Sequence, residues 1–311
     1  MESFTSTGMT GLLFRSIERT APDLVSDLTW PDPMTRAVMP DTGKRGLIAR
    51  VLEAAGPGML LGVGQNLDLA DETPVLTVLL RSTEPAVLAE KWMRLERYHH
   101  ATHRTRIAAD TATRWDCRRT SSGEPATLGE NCLIAGLLVG LLGHLGARDC
   151  RLGFGDQRVG VQDLDGLTLP ADERLDSFAI EWSARRVSSP SAASVADVSK
   201  VNDRLADLLA GDIGRSWKLH DAARNLTFST RSLQRHLSAK GRSFSSVLRQ
   251  ARMREATNLL TRDDTSLAEI GYCCGYADQA HFQRDFLRAT NMTPRRFRAV
   301  TLAGNSGAII Q

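Results

Sequence analysis

Two clusters of Arg and Gln in the last hundred residues have the spacing of an exposed helix face. In the first cluster, Arg231, Gln234 and Arg235 are interleaved with Leu233 and Leu237, so polar and apolar side chains fall on opposite sides of one helix. Arg pairs bidentately with guanine and Gln with adenine, and polar side chains of this length also hold phosphate oxygens. The first cluster therefore has the chemistry of a surface that reads base edges in DNA.

The residues around this cluster predict a helix, a turn and a second helix over residues 217–237. The first helix has apolar side chains at helical spacing, and Ala222 and Ala223 are small enough to let another helix approach closely. Ser229 is predicted to cap the second helix, because its side chain can accept a hydrogen bond from an otherwise unpaired amide. We include Ser229 and Thr230 among the predicted DNA contacts.

A second segment, residues 267–287, repeats this layout. It opens with the pattern of a capping box, in which Ser266 and Glu269 can each accept a hydrogen bond from the other's amide. Gly275 marks the turn, and Asp278 is placed to cap the helix that follows. The side chains predicted to face the DNA from this second helix are Gln279, His281, Gln283 and Arg284.

The second segment is predicted to end at Asn291, since Asn tolerates the left-handed conformation that stops a helix. The basic residues that follow, Arg295, Arg296 and Arg298, suit the phosphate backbone. One amphipathic helix over residues 243–260 is predicted to join the two segments, with a length of about 27 Å. Two reading helices joined in this way could enter major-groove segments about 34 Å apart on one face of DNA.

The basic and acidic residues are distributed unequally between the two halves of the chain. Residues 200–298 carry 18 Lys and Arg against 10 Asp and Glu, a formal charge of +8, whereas residues 1–199 carry −5. A basic half beside an acidic half indicates one module for nucleic acid and another module for a different task.

Residues 217–298 resemble the DNA-binding domain of the AraC/XylS family of bacterial transcription regulators. The match extends over about eighty residues, although Lys218 stands where a Ser or Thr cap is commoner in that family. By this resemblance, the two Arg and Gln clusters fall where the family's two reading helices touch bases. The positions that carry the resemblance are Ser229-x-x-x-Leu233-x-Arg235, Gly241-x-Ser243-Phe244, Arg252-x-x-x-Ala256-x-x-Leu259-Leu260, Gly275-Tyr276-x-Asp278-x-x-x-Phe282-x-Arg284-x-Phe286 and Thr293-Pro294-x-x-Phe297-Arg298.

The first half of the chain shows a mixed pattern that predicts an α+β domain. Helical spacing covers residues 45–55 and 85–98, and strand-like alternation covers residues 102–119 and 178–182. Residues 75–80 fit a strand or a helix equally well. Within residues 30–186, a looser similarity to the arabinose-binding-type sensing domains of the same family implies effector binding, dimerisation or both.

The sequence predicts four parts. These are an effector-sensing or dimerisation domain (1–186), a Ser- and Ala-rich linker (187–199), an all-α double helix-turn-helix domain with a long joining helix (200–299) and a flexible tail (300–311). The apolar run at 132–142 is too short to cross a bilayer and is predicted to be a buried helix, at a domain core or a dimer seam, in which Gly136 and Gly140 permit close contact. The first ten residues lack a signal peptide pattern, so we expect a cytoplasmic, nucleoid-associated protein.

Several other activities have weaker support in the residues. No nucleophile elbow, phosphate-binding loop, zinc protease motif or dinucleotide fingerprint occurs, and no reactive-Cys motif of a DNA repair methyltransferase appears, so we expect no catalytic residue and no cofactor. The five Cys are predicted to be reduced, and Cys117 beside two Arg is a possible thiol sensor. His99 and His103 have helical metal-binding spacing, but a polar helix end explains them more simply.

The sequence therefore predicts a sequence-specific DNA-binding transcription regulator, responsive to an effector and, by family resemblance, an activator. Its expected partners are double-stranded promoter DNA, a small-molecule effector, RNA polymerase and a second copy of the chain, with no membrane. The alternative is an effector-independent regulator or repressor whose N-terminal domain only dimerises, and a bifunctional DNA-modifying enzyme ranks below both. The effector site and any metal site are left unassigned.

Overall fold

The computed structural model describes residues 4–28, 38–70, 73–98, 102–164, 167–169, 173–183, 201–262 and 265–306. The chain folds as two compact units, Met1–Arg186 and Val187–Gln311. The predicted linker, residues 187–199, lies outside the described residues.

The described residues of the N-terminal unit include five α-helices. The predicted helices at 45–55 and 85–98 are confirmed, and residues 75–80 are helical, with Thr73 capping the amide of Leu76 and Pro74 in the first turn. The helices are α1 (Thr7–Thr20), α2 (Asp41–Gly62), α3 (Pro74–Leu80), α4 (Pro85–Tyr98) and α5 (Leu128–His144), with 3-10 segments at Pro22–Leu24, Val63–Leu69 and Val161–Asp163.

The strands of this unit are antiparallel throughout the described residues. Strands β1 (Phe4–Ser6) and β2 (Val38–Pro40) form one pair. The larger sheet has the order β3-β4-β7-β5-β6. The α+β prediction for the N-terminal unit is therefore confirmed, and the strands of the larger sheet are β3 (His103–Thr111), β4 (Arg114–Ser121), β5 (Arg148–Phe154), β6 (Gln157–Gly160) and β7 (Ser177–Ser183).

Helix α5 is a core helix that packs tightly on the segment following α2. A Cβ atom at Gly136 would overlap the carbonyl oxygen of Leu61, and one at Gly140 would overlap the carbonyl oxygen of Gly64. The predicted close contact at these two glycines is confirmed, and it joins α5 to its own unit. Within the described residues, Gly43–Leu69 is long and apolar enough to cross a membrane by length and composition, but a φ of 74° and ψ of −178° at Gly56 break the helix inside it.

The sequence offers two alternative functional roles, a thiol sensor at Cys117 and a metal site at His99 and His103, and the structure bears on both. Cys117 is buried, and desolvation raises the pKa of its thiol to about 12, which argues against a thiolate sensor. His103 is not on a helix with His99: it begins β3, its Nδ1 lies 2.8 Å from Ser121 Oγ, and His99 lies outside the described residues. No group of three or more His, Cys, Asp or Glu in the described part of the chain could hold a metal ion.

The C-terminal unit is helical throughout its described residues, as predicted. The sequence patterns did not identify its first helix or its last. The last one continues to Ser306, so residues 300–306 are helical rather than a flexible tail, and 307–311 lie outside the described residues. The helices are α6 (Val201–Gly211), α7 (Leu219–Asn225), α8 (Thr230–Ala239), α9 (Phe244–Arg262), α10 (Leu267–Cys273), α11 (Gln279–Thr290) and α12 (Pro294–Ser306).

Helix α9 runs between two apolar cores in this unit. Val247 and Leu248 near its start belong to the first core, together with buried side chains from α6, α7 and α8. Ala256 and Leu260 near its end are fully buried, and contacts join α9 to α10 and α12. The joining helix predicted from the sequence is therefore present, and each of its ends supports one helix pair.

Candidate nucleic-acid interface

The first helix pair, α7 and α8, is held at its turn by backbone and side-chain hydrogen bonds. The turn reverses the chain through Thr227, whose φ is 62°, and the amide of Phe228 donates to the carbonyl oxygen of Ala223 at 2.9 Å. Ser229 then caps α8 as predicted, since its Oγ accepts a hydrogen bond from the amide of Ser232 at 3.1 Å. Lys218, which replaces the commoner cap before α7, makes no such hydrogen bond with its side chain.

Helix α8 separates its apolar and polar faces completely. Leu233 and Leu237 are buried in the first core. The predicted contact residues of this helix and its cap are all exposed: Ser229, Thr230, Arg231, Gln234 and Arg235. Within the described part of the chain, these side chains are therefore accessible to a binding partner.

The second helix pair, α10 and α11, has its own caps. Ser266 and Glu269 form the predicted capping box: Ser266 Oγ accepts from the amide of Glu269, and the Glu269 carboxylate accepts from the amide of Ser266, both at 3.2 Å. Asp278 caps α11 by accepting from the amide of His281 at 2.7 Å. At the far end of α11, Asn291 adopts the predicted left-handed conformation, with φ of 56°.

Helix α11 presents a mixed outer face. Phe282 and Phe286 are fully buried, whereas His281, Gln283 and Arg284 are exposed. Gln279, in the first turn, is half-buried. The His281 ring packs edge-on against the ring of Tyr276, with 5.2 Å between the centroids, so its orientation is partly set by the protein.

The second helix pair contacts α9 and the segment between α6 and α7, a feature that the sequence patterns did not reveal. Gly275, in the turn before α11, has a φ of 76°, and a Cβ atom there would overlap the carbonyl oxygen of Ile213 in the first pair's half of the unit. Arg249 of α9 lies 3.2 Å from the carboxylate of Asp285 on α11, which also accepts a hydrogen bond from Tyr276 at 3.1 Å. These contacts fix α11 relative to α9.

Three Arg residues of α12 are predicted to suit phosphate, and in the structure Arg298 has a different environment from the other two. Arg295 and Arg296 are exposed in the first turn, as a phosphate contact requires. Arg298 is half-buried, and its Nη2 donates to the carbonyl oxygen of Thr265 at 2.5 Å. The guanidinium of Arg298 therefore ties α12 to the start of the second helix pair, and its contact with phosphate stays a prediction.

Replacing Arg298 with alanine is expected to destabilise the C-terminal unit by about 1.5–3 kcal/mol, the usual contribution of a hydrogen bond to a charged group. Urea unfolding followed by circular dichroism measures the change. Arg296→Ala is the matched control and is expected to change stability by less than about 0.5 kcal/mol, since that side chain is exposed. Equal effects of the two substitutions would contradict the structural role of Arg298.

Comparison with known proteins places this unit in a family. A family model described as a helix-turn-helix domain matches residues 222–299. The chain is 35% identical over 104 residues to the urease operon transcriptional activator of Escherichia coli, covering 33% of this chain and 35% of that protein. It is 38% identical over 95 residues to the ornithine utilization regulator of Pseudomonas aeruginosa, covering 30% of this chain and 28% of that protein.

The matches thus span about a third of the length of these relatives, which are named as transcription regulators and not as enzymes. A solved Chromobacterium violaceum transcriptional regulator with an AraC-type DNA-binding domain is 26% identical, with 32% of this chain and 91% of that chain covered and a TM-score of 0.31. The residues that the family model matches run from within α7 into α12 and so include most of both capped helix pairs. The C-terminal unit of this chain contains a helix-turn-helix domain over residues 222–299.

Proposed function

We propose that this chain is a sequence-specific DNA-binding transcription regulator that reads two adjacent major-groove segments with α8 and α11. The observation that carries the proposal is the pair of capped helices whose buried faces hold Leu or Phe and whose exposed faces hold Arg and Gln. Exposed Arg and Gln at the start of a second helix are the groups that recognise base edges in this class of domain. Helix α9, which packs in the first core and also contacts α10, α11 and α12, would keep the two reading surfaces in one fixed relation.

Phosphate contacts would supply most of the affinity. Ser229 and Thr230 at the start of α8 and Arg295 and Arg296 at the start of α12 are exposed near helix N-termini, where backbone amides also favour anions. The formal charge of +8 over residues 200–298 has the sign that such binding needs. We expect binding to weaken steeply with salt, because each neutralised phosphate releases condensed counterions.

The N-terminal unit would make the regulator responsive to an effector. Its α+β fold is separate from the DNA-binding domain, and effector binding would change how two copies of that domain sit on paired half-sites. Activation of transcription is proposed from the name of one relative, a transcriptional activator. Contact with RNA polymerase is proposed from the family resemblance of residues 217–298. The expected setting is the cytoplasm, on promoter DNA, with dimerisation through residues 1–186.

The test is DNA-fragment selection with the full-length chain on fragments of its own genome, sequenced after binding at moderate salt. The expected result is an enriched site with two short blocks about one helical turn apart. A variant with both Arg235→Ala and Arg284→Ala is the control and should recover fragments without enrichment. Enrichment of a single block would contradict the two-helix reading, and enrichment that does not change with cell extract would favour the effector-independent alternative.

A further inference from the structure

The N-terminal unit contains a cleft of about 310 Å³ between α1 and the second half of α2. Side chains from the 3-10 segment Val63–Leu69 continue the α2 wall, and the segment after β6 closes the opposite side. A cleft of this size lies at the lower end of the range for small-molecule sites. All of its walls belong to one unit, so its shape does not depend on the placement of the DNA-binding domain.

Two contacts hold the closing segment in place. The carbonyl oxygen of Leu164 packs against α2 at Gly58, where a Cβ atom would overlap it. At the other end of the segment, Gln65 Nε2 donates to the carbonyl oxygen of Val161 at 2.9 Å. Because both contacts involve the backbone of the segment, the cleft is a built feature of the fold and not a gap between loose side chains.

The polar side chains that line the cleft are uncharged. None of the described side chains that line it carries a formal charge, and its polar members are Ser16, Thr20, Gln65, Asn66 and Gln162. Apolar side chains, including Ile17 and Met59, make up the rest of the wall. An ion would lose its hydration here without gaining a partner of opposite charge, which disfavours charged ligands.

We propose that this cleft binds an uncharged small molecule that carries a hydroxyl or amide group together with an apolar portion. The apolar portion contacts the Ile17 and Met59 side of the wall, and the polar group reaches the amide side chains of Gln65 and Asn66 in the 3-10 segment. The role of this site as the effector site rests on the proposed function of the chain as a regulator. Binding of a ligand in the cleft does not depend on that function. A failure of the binding proposal can therefore be told apart from a failure of the proposed function.

The cleft offers a substitution that fills it without a clash. Gly62 lines the cleft in a right-handed helical conformation, and nothing lies within 4 Å of a Cβ atom built there. Gly62→Leu would therefore place its side chain in the open space. Gly46→Leu is the matched control, since Gly46 lies on the exposed side of the same helix and also has nothing within 4 Å of its Cβ position.

The experiment measures binding of defined probes to the full chain without DNA, by saturation-transfer NMR with titration. Benzamide, acetanilide and 1,2-cyclohexanediol are the neutral probes, and benzoate and benzylammonium are the charged analogues. We expect at least one neutral probe to bind at least tenfold more tightly than the charged analogues, and Gly62→Leu to remove that binding while Gly46→Leu retains it. No neutral binding, equal binding of charged probes, or binding that survives Gly62→Leu would each overturn the proposal.

Discussion

Replacing Arg235 with alanine is expected to weaken binding to the selected DNA site by about 1–3 kcal/mol, or about 5- to 150-fold in Kd. Arg235 is exposed on the outer face of α8, opposite the buried Leu233 and Leu237, so the substitution removes no packing that the structure shows. A fluorescence anisotropy titration against the selected site and against a scrambled site of equal length measures the loss. The affinity for the scrambled site should fall much less, because phosphate contacts supply it.

Two further variants separate base reading from the loss of a positive charge. Arg254→Ala removes an equal charge from an exposed position on α9, away from both reading helices, and is expected to reduce the two affinities by a similar small factor. Arg235→Lys keeps the charge but not the planar fork that pairs with guanine, so specificity should still be lost. If Arg235→Ala behaves like Arg254→Ala, Arg235 contacts phosphate and not a base.

Replacing Gly140 with alanine is expected to destabilise the N-terminal unit by about 3 kcal/mol, at the upper end of the effects of overpacked cores. The added methyl group would overlap the carbonyl oxygen of Gly64, and a backbone atom of the adjoining 3-10 segment cannot rotate away as a flexible side chain can. Urea unfolding followed by tryptophan fluorescence is the measurement. It reports mainly on this unit, since four of the five Trp lie in residues 1–186.

Gly143→Ala is the control for Gly140→Ala. Gly143 is exposed near the end of the same helix, and nothing lies within 4 Å of its Cβ position. The substitution is expected to stabilise the helix by up to about 1 kcal/mol, because alanine loses less conformational freedom on folding. A loss of stability in Gly143→Ala comparable to that in Gly140→Ala would mean that the close approach of Gly140 to Gly64 is not the cause of the destabilisation.

The helix pairs of the C-terminal unit could be predicted from the sequence because their signals are local. Ser229, the pair Ser266 and Glu269, and Asp278 satisfy amides within three residues of themselves, and Asn291 ends α11 through its own backbone conformation. The exposed and buried faces of α8 follow from the 3.6-residue period alone. The same locality explains why α3 could have been predicted, since Thr73 and Pro74 are a cap and a first-turn proline.

Other residues have roles that no local pattern indicates. Arg298 belongs to a run of Arg that suits phosphate, yet its guanidinium reaches a carbonyl group 33 residues earlier in the chain. Asp285 looks like a solvated charge on α11, but Arg249 and Tyr276 both reach it. The sequence predicts the turn at Gly275. It does not predict that Gly275 lies close to the carbonyl oxygen of Ile213.

By itself, the sequence determined the division into a basic helical unit and an acidic α+β unit, the caps, and the polar faces of α8 and α11. Hydrophobic periodicity, capping and net charge depend on neighbours a few residues away, so they can be derived from the residues in order. Only the tertiary structure decided that Gly275 lies against Ile213 and Asp285 against Arg249, and how α1, α2 and the segment after β6 enclose an uncharged cleft. These features arise where segments distant in the chain pack together, and their geometry depends on shapes that no single segment specifies.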